Sequence, residues 1–135
     1  MPRRAFYSTV LVVYVAALAL TTLTPTDEPA GAAAGVRWVP LTQTVAMLQS
    51  RTWTVTLAQI AGNVALFVPL GWLLPMTWAH LRSPRRIVLV GAACSLLIEV
   101  AQVAIPGRTP AVDDILLNTL GALLGAVMFL APRNA

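Results

Sequence analysis

The sequence contains one cysteine, one histidine and no lysine, and only 10% of its 135 residues are charged. A lone Cys94 excludes an intrachain disulfide, and one cysteine with one histidine provides no metal-ligand spacing, so we predict no metal site and no cofactor. Soluble domains carry about 25% charged residues, so this low charge excludes an ordinary soluble fold. The nine arginines lie at the ends of apolar runs, without interleaved aromatics, and we predict no nucleic-acid partner.

Long apolar runs dominate what is present. Apolar residues make up 58% of the chain, and its mean hydropathy is +0.77. Four runs stand out, at residues 5–24, 59–79, 87–105 and 114–131. Each is close to the roughly 20 residues that cross a bilayer. We therefore predict one all-α membrane domain over residues 1–135, a four-transmembrane-helix bundle. The first run follows Arg3 and Arg4, and its length favours a retained helix over a cleaved signal peptide.

Residues 25–58 are predicted to form a loop outside the membrane, since their first half is rich in Pro, Gly and Ala. In the second half, residues 41–52 place apolar side chains on one helical face between Trp38 and Trp53. That pattern fits a short helix lying in the membrane interface. An ordinary loop with scattered apolar residues fits it equally well.

The arginines predict the orientation of the bundle. With four spans, both termini share a side with the turn at residues 81–86. That side holds Arg3, Arg4, Arg82, Arg85, Arg86 and Arg133, and the opposite side holds Arg37, Arg51 and Arg108. The positive-inside rule then places both termini in the cytoplasm of a multi-pass protein of the cytoplasmic membrane.

Polar side chains interrupt three of the runs at a similar depth. Glu99 lies ~9 Å before the outer end of the third helix, and Asn118 lies ~6 Å inside the fourth. Asn63 lies a similar distance inside the second, below a rim that holds Arg108. Ionisable groups cost about 2.5–3.5 kcal/mol each at the bilayer centre. A sequence that retains several such polar groups within its membrane helices therefore uses them for structure or for function. The convergence predicts a polar pocket that opens outward.

Helical phase extends this prediction. One face of the third helix carries Ala92, Ser95, Glu99 and Gln102, and one face of the fourth carries Asp114, Asn118, Gly121 and Gly125. The glycines are spaced so that two helix backbones can approach closely. We therefore predict a binding pocket in the outer half of these faces and a packing seam, with Gly121 and Gly125, in the inner half.

The polar residues also have structural interpretations. Asn63 and Asn118 fit simple interhelical hydrogen bonds as well as they fit a binding site. Asp113 fits a helix N-cap, and Asp114 fits a first-turn acid that interacts with the helix dipole. Arg108 either pairs with Asp114 or Glu99 across the mouth or meets an anionic group, such as a lipid phosphate.

Three motifs follow one another along the chain. They are Asn63-x-x-x-Phe67-x-Pro69-x-Gly71, then Glu99-x-x-Gln102 followed by Arg108, then Asp113-Asp114-x-x-x-Asn118-x-x-Gly121-x-x-x-Gly125. Together with WVPLTQTVAML at residues 38–48, this combination resembles the VanZ-like family of small bacterial membrane proteins. The resemblance implies a link to glycopeptide resistance, teicoplanin above all. Relatives often carry an acid two residues before Asp113, where this chain has Ala111.

Three functions are compatible with these observations. The first is a non-enzymatic membrane protein whose pocket binds a lipid headgroup, a lipid-linked wall precursor or a glycopeptide antibiotic. Its lining would be Asn63, Glu99, Gln102, Arg108, Asp113, Asp114 and Asn118. The second is an enzyme acting on a lipid headgroup with Glu99 or Asp114 as acid or base. The third is a structural or assembly partner without a ligand. The absence of a nucleophile with its base favours a non-enzymatic role, no catalytic residue is assigned, and a homo-oligomer stays open.

Overall fold

The computed structural model describes residues 2–25, 39–40, 45 and 53–131. Within these residues the chain forms four α-helices, α1 (Pro2–Leu23), α2 (Trp53–Thr77), α3 (Pro84–Gln102) and α4 (Val112–Leu130). A short 3-10 turn, Ala79–Leu81, leads from α2 towards α3. The predicted all-α fold is confirmed. The predicted interfacial helix at residues 41–52 lies, Val45 excepted, outside the described residues.

Three of these helices are long and apolar enough to cross a membrane, over Arg3–Leu23, Leu57–Thr77 and Val112–Leu130. The predicted membrane character of the chain is thereby confirmed. Helix α3 has 19 residues but carries Arg85 and Arg86 in its first turn and Glu99 near its end. Arginines at a helix end extend to the membrane surface, and Glu99 turns into the bundle. That α3 also spans the membrane stays a prediction.

The helix ends differ from the predicted ones for local reasons. Helix α2 begins at Trp53 rather than at residue 59, because residues 53–58 contain no glycine or proline to stop it. Helix α3 begins at Pro84, in the first turn, where the missing N–H is unused. It ends at Gln102 rather than at residue 105, since the chain turns back before Pro106.

Helices α2 and α4 pack backbone against backbone. A Cβ atom built on Gly71 would collide with the carbonyl of Ala122, and one built on Gly121 or Gly125 would collide with the carbonyl of Val64 or Val68. Only glycine leaves room for such an approach. The contact between α2 and α4 therefore depends on a glycine from α2 as well as the two from α4.

The helices alternate in direction, so the bundle has two chemically distinct ends. At one end Arg4 of α1 donates from Nε to the carbonyl of Thr77, 3.2 Å away, where α2 finishes. We call this the arginine end. At the other, α1 and α3 finish and α2 and α4 begin, and Gln102 donates from Nε2 to the carbonyl of Thr22 at 2.8 Å. We call this the polar end.

Candidate functional site

A tight turn after α3 shapes the polar end. Ile105, Pro106, Gly107 and Arg108 form it, with the Arg108 N–H donating to the Ile105 carbonyl at 3.2 Å. Gly107 has a φ of 78°. A type II turn requires a positive φ at its third position, which glycine supplies, and proline is common at its second. The turn directs Arg108 towards α1 and returns the chain to begin α4.

Glu99 joins α3 to the start of α4. Its side chain is only 6% exposed, and its Oε2 accepts the backbone N–H of Ala111 at 2.8 Å. The first N–H groups of a helix have no partner within the helix. Glu99 therefore supplies an acceptor to the residue that precedes α4, where Ala111 has no capping side chain of its own.

The two acids of α4 lie in its first turn rather than at its N-cap. The N-cap residue is Ala111, so the interpretation of Asp113 as the N-cap does not hold. Asp113 is 4% exposed. Asp114 accepts a 2.6 Å hydrogen bond at Oδ1 from Nδ2 of Asn63, which links α2 to α4. A carboxylate in this turn also interacts favourably with the helix dipole.

Asn118 lies one turn deeper, between α3 and α4. Its Nδ2 donates to Oγ of Ser95 at 2.9 Å, and both residues are buried. Its Oδ1 is buried and has no hydrogen-bond partner among the described residues. Leaving a buried acceptor unpaired costs about 1–3 kcal/mol. This unpaired oxygen, on the residue that bonds to Ser95 one turn from Glu99, is therefore the feature of this end that the packing of the described residues does not explain.

Arg108 and Gln102 bind the end of α1. Arg108 donates from Nε to the carbonyl of Thr24 at 3.1 Å and from Nη2 to that of Thr21 at 2.9 Å. Gln102 donates to Thr22 in the same turn. A cation stabilises the negative end of a helix dipole. Within the described residues, Arg108 thus bonds to backbone carbonyls of α1, and neither predicted pairing, with Asp114 or with Glu99, is among its hydrogen bonds.

The predicted residues fall into two groups. Hydrogen bonds between α2, α3 and the start of α4 bring together Asn63, Glu99, Asp114 and Asn118. Asp113 is buried in the first turn of α4. Gln102 and Arg108 instead face α1. Sequence reasoning placed Ser95 on the correct face but did not assign it to the site, and it did not foresee the carbonyls of α1. The sequence did contain one signal, since α1 ends in Thr-Thr-Leu-Thr and the last carbonyls of a helix need partners from outside it.

The described side chains of the site offer hydrogen-bonding groups. In the part of the chain that the structure describes, no group of three or more His, Cys, Asp or Glu residues is arranged to hold a metal ion. Glu99 and Asn118 contribute oxygen acceptors at the junction of α3 and α4. A bound group would therefore be recognised chiefly by its N–H or O–H donors.

Replacing Arg108 with alanine should loosen α1 at the polar end. Two hydrogen bonds from a charged donor to helix carbonyls disappear, and we expect a loss of about 1–2 kcal/mol at this half-buried site. Hydrogen–deuterium exchange of residues 18–25 in nanodiscs measures the effect. Arg108→Lys keeps the positive charge but has a single donor nitrogen, so it should show a smaller increase in exchange than Arg108→Ala. Equal protection of α1 in the wild type and in Arg108→Ala would contradict this role.

Comparison with known proteins agrees with this architecture. The family model described as VanZ/LLP1 matches residues 11–132, from within α1 to just beyond α4. No curated protein and no solved structure matches the chain significantly. The matched segment contains the whole polar end and the glycine contact between α2 and α4. The chain therefore belongs to the VanZ/LLP1 family, as a helical membrane protein.

Proposed function

We propose that this protein binds the polar headgroup of a lipid or lipid-linked molecule at the polar end of the bundle, without transforming it chemically. The observation that carries the proposal is the buried, unpaired Oδ1 of Asn118. It lies one turn below Asp114 and next to Ser95, which is one turn from Glu99. A ligand donor at this position would remove the cost of the unpaired oxygen.

The chemistry of the site points to a ligand with hydrogen-bond donors. Arg108 was the natural candidate for holding an anionic group, but two of its nitrogens are engaged by α1. Beside the donors of Arg108 that these bonds leave unused, the site offers the acceptors of Glu99 and Asn118. An outer-leaflet phospholipid headgroup, a lipid-linked wall precursor and a lipoglycopeptide such as teicoplanin all bring N–H or O–H donors. The role in glycopeptide resistance that the family resemblance implies would follow from binding the last two.

The arginine distribution supports an outward-facing polar end. All five described arginines other than Arg108 lie at the arginine end, and the described acids Glu99, Asp113 and Asp114 lie at the polar end. Under the positive-inside rule the arginine end faces the cytoplasm. The polar end would then face the outer leaflet of the cytoplasmic membrane, where wall precursors and glycopeptides are found.

A purely structural role for the same residues makes a different prediction. The polar contacts at this end join α3 to α4 through Ser95 and Asn118, and α2 to α4 through Asn63 and Asp114. If they serve only packing, function should fall in proportion to stability. If the site binds a ligand, some variant should lose binding while remaining as stable as the wild type.

Asn118→Leu is that variant, with Ser95→Ala as its matched control. Leucine removes the unpaired oxygen, and the Ser95 hydroxyl can bond to its own helix, so we expect stability within about 0.5 kcal/mol of the wild type. Ser95→Ala breaks the same hydrogen bond but keeps the Asn118 amide, and we expect it to lose about 1–2 kcal/mol while still binding. Thermal unfolding in detergent measures both changes.

Binding is measured with three named probes. These are phosphatidylethanolamine retained in native mass spectrometry, a purified lipid-linked wall precursor, and teicoplanin in calorimetry with the protein in nanodiscs. We expect at least one probe to bind the wild type and to bind Asn118→Leu roughly tenfold more weakly. Teicoplanin susceptibility of cells should follow the same order. The proposal fails if no probe binds the wild type, or if Asn118→Leu binds as well as Ser95→Ala.

A further inference from the structure

Three arginines converge on the backbone where α2 finishes, at the end of the bundle opposite the proposed binding site. Arg4 bonds through Nε to the Thr77 carbonyl at 3.2 Å, and Arg82 bonds through Nε to the Pro75 carbonyl at 3.3 Å. Arg86 bonds through Nη1 to the His80 carbonyl at 2.6 Å. One of these arginines comes from α1, one from the linker and one from α3. Each of the three guanidinium groups is therefore bonded to the backbone of residues 75–80.

Each guanidinium keeps donors that these bonds do not use. Arginine carries five N–H donors in a rigid plane, and a bond through Nε leaves both terminal nitrogens available. Arg4, Arg82 and Arg86 are all exposed. The helix end thus fixes where these cations lie without using all of their donors, which is the preorganisation that tight anion binding requires.

None of the acidic side chains that the structure describes lies at this end, since Glu99, Asp113 and Asp114 are at the polar end. Residues 1–26, 60–98 and 115–135, which include every described segment at the arginine end, contain no Asp or Glu. Arg3 and Arg85 add two further exposed cations at the same end. Trp78, also exposed, lies between the carbonyls that Arg4 and Arg86 engage, and tryptophan favours the depth of lipid headgroups.

We propose that Arg4, Arg82 and Arg86 form a binding site for the phosphate of an anionic phospholipid. Guanidinium groups bind phosphate through paired, charge-assisted hydrogen bonds, and several fixed guanidinium groups favour a lipid with net negative charge over a zwitterionic one. Because the three arginines come from separate parts of the chain, the bound lipid bridges α1 and α3 across the end of α2. A lipid that binds only the folded bundle also stabilises it.

The test compares two double variants that remove the same charge from the same end. Arg82→Gln/Arg86→Gln changes the fixed cluster, and glutamine still offers an amide donor to the carbonyls. Arg3→Gln/Arg85→Gln changes exposed arginines for which the described residues provide no hydrogen-bond acceptor. Protein in nanodiscs of phosphatidylglycerol, or of phosphatidylcholine, is released into native mass spectrometry, and its thermal midpoint is measured in each lipid.

We expect the wild type to retain phosphatidylglycerol at least tenfold more than phosphatidylcholine and to unfold at a higher temperature in the former. The Arg82/Arg86 variant should lose roughly tenfold in phosphatidylglycerol retention, and the Arg3/Arg85 variant less than about threefold. If both variants lost phosphatidylglycerol retention equally, nonspecific attraction between the arginines and the anionic lipid would explain the binding, and the proposal would be overturned. Equal retention of the two lipids by the wild type would also overturn it. Inorganic phosphate at millimolar concentration should not displace the lipid, and displacement would show a site for free phosphate instead.

Discussion

Replacing Gly121 with alanine should lower the free energy of unfolding by about 3 kcal/mol, the upper part of the range for overpacked interiors. The new methyl group would collide with the backbone carbonyl of Val64 and come within 3.0 Å of Cβ of Phe67, which is fully buried. A backbone carbonyl cannot rotate away as a side chain can. Helices α2 and α4 must therefore separate, and unfolding in detergent measures the cost.

The same helix pair provides the control. Gly62 lies in α2, and a Cβ atom there would meet nothing within 4 Å. Gly62→Ala should leave stability unchanged or raise it by up to about 1 kcal/mol, because alanine favours the helix. Gly91→Ala should also destabilise the protein, since the new Cβ would lie 2.5 Å from Cβ of Ala122, which is fixed to its backbone and cannot rotate away. Equal stability of Gly121→Ala and Gly62→Ala would disprove direct backbone contact between α2 and α4.

Replacing Glu99 with leucine should destabilise the start of α4 by about 2 kcal/mol. Leucine has nearly the same size but no acceptor, so the buried N–H of Ala111 loses its hydrogen bond. We expect faster amide exchange over residues 111–115, with little change at the arginine end. Exchange measured by mass spectrometry in nanodiscs separates this local effect from global unfolding.

Glu99→Gln separates the acceptor from the carboxyl group. The amide oxygen of glutamine can still accept the Ala111 N–H, so exchange at the start of α4 should stay close to that of the wild type. If Glu99→Gln exposes α4 as much as Glu99→Leu does, the ionisable carboxyl, rather than an acceptor, holds the turn. If it retains the fold yet loses ligand binding, the carboxyl belongs to the binding site.

The case of Arg108 illustrates where sequence reasoning was incomplete. A lone arginine beside three acids suggested an ion pair or an anion site. The type II turn at Pro106 and Gly107 instead directs it to carbonyls at the end of α1, more than 80 residues away in the chain. Helix C-termini leave four carbonyls unpaired, but hydropathy and helical phase do not say which distant side chain reaches them.

For the glycines of the contact between α2 and α4, the sequence predicted part of the structure correctly. Their spacing on α4 predicted a close helix contact, and the structure places Gly121 and Gly125 against α2. The complementary Gly71 on α2 appeared in the sequence only as part of a family motif. Its function depends on the register between α2 and α4, which places Gly71 against the backbone of Ala122 and places Gly125 against the backbone of Gly71.

The sequence by itself determined the class of molecule, namely a helical membrane protein of this family, and it predicted polar residues at one depth with most of the arginines at the other end. These properties follow from local composition and from the period of the α-helix, and neither depends on which segments pack against one another. Only the tertiary structure decided the partners: Ala111 for Glu99, Ser95 for Asn118, Asp114 for Asn63 and α1 for Arg108. Partner choice depends on how the helices are rotated and shifted against one another, and packing between distant segments sets that geometry.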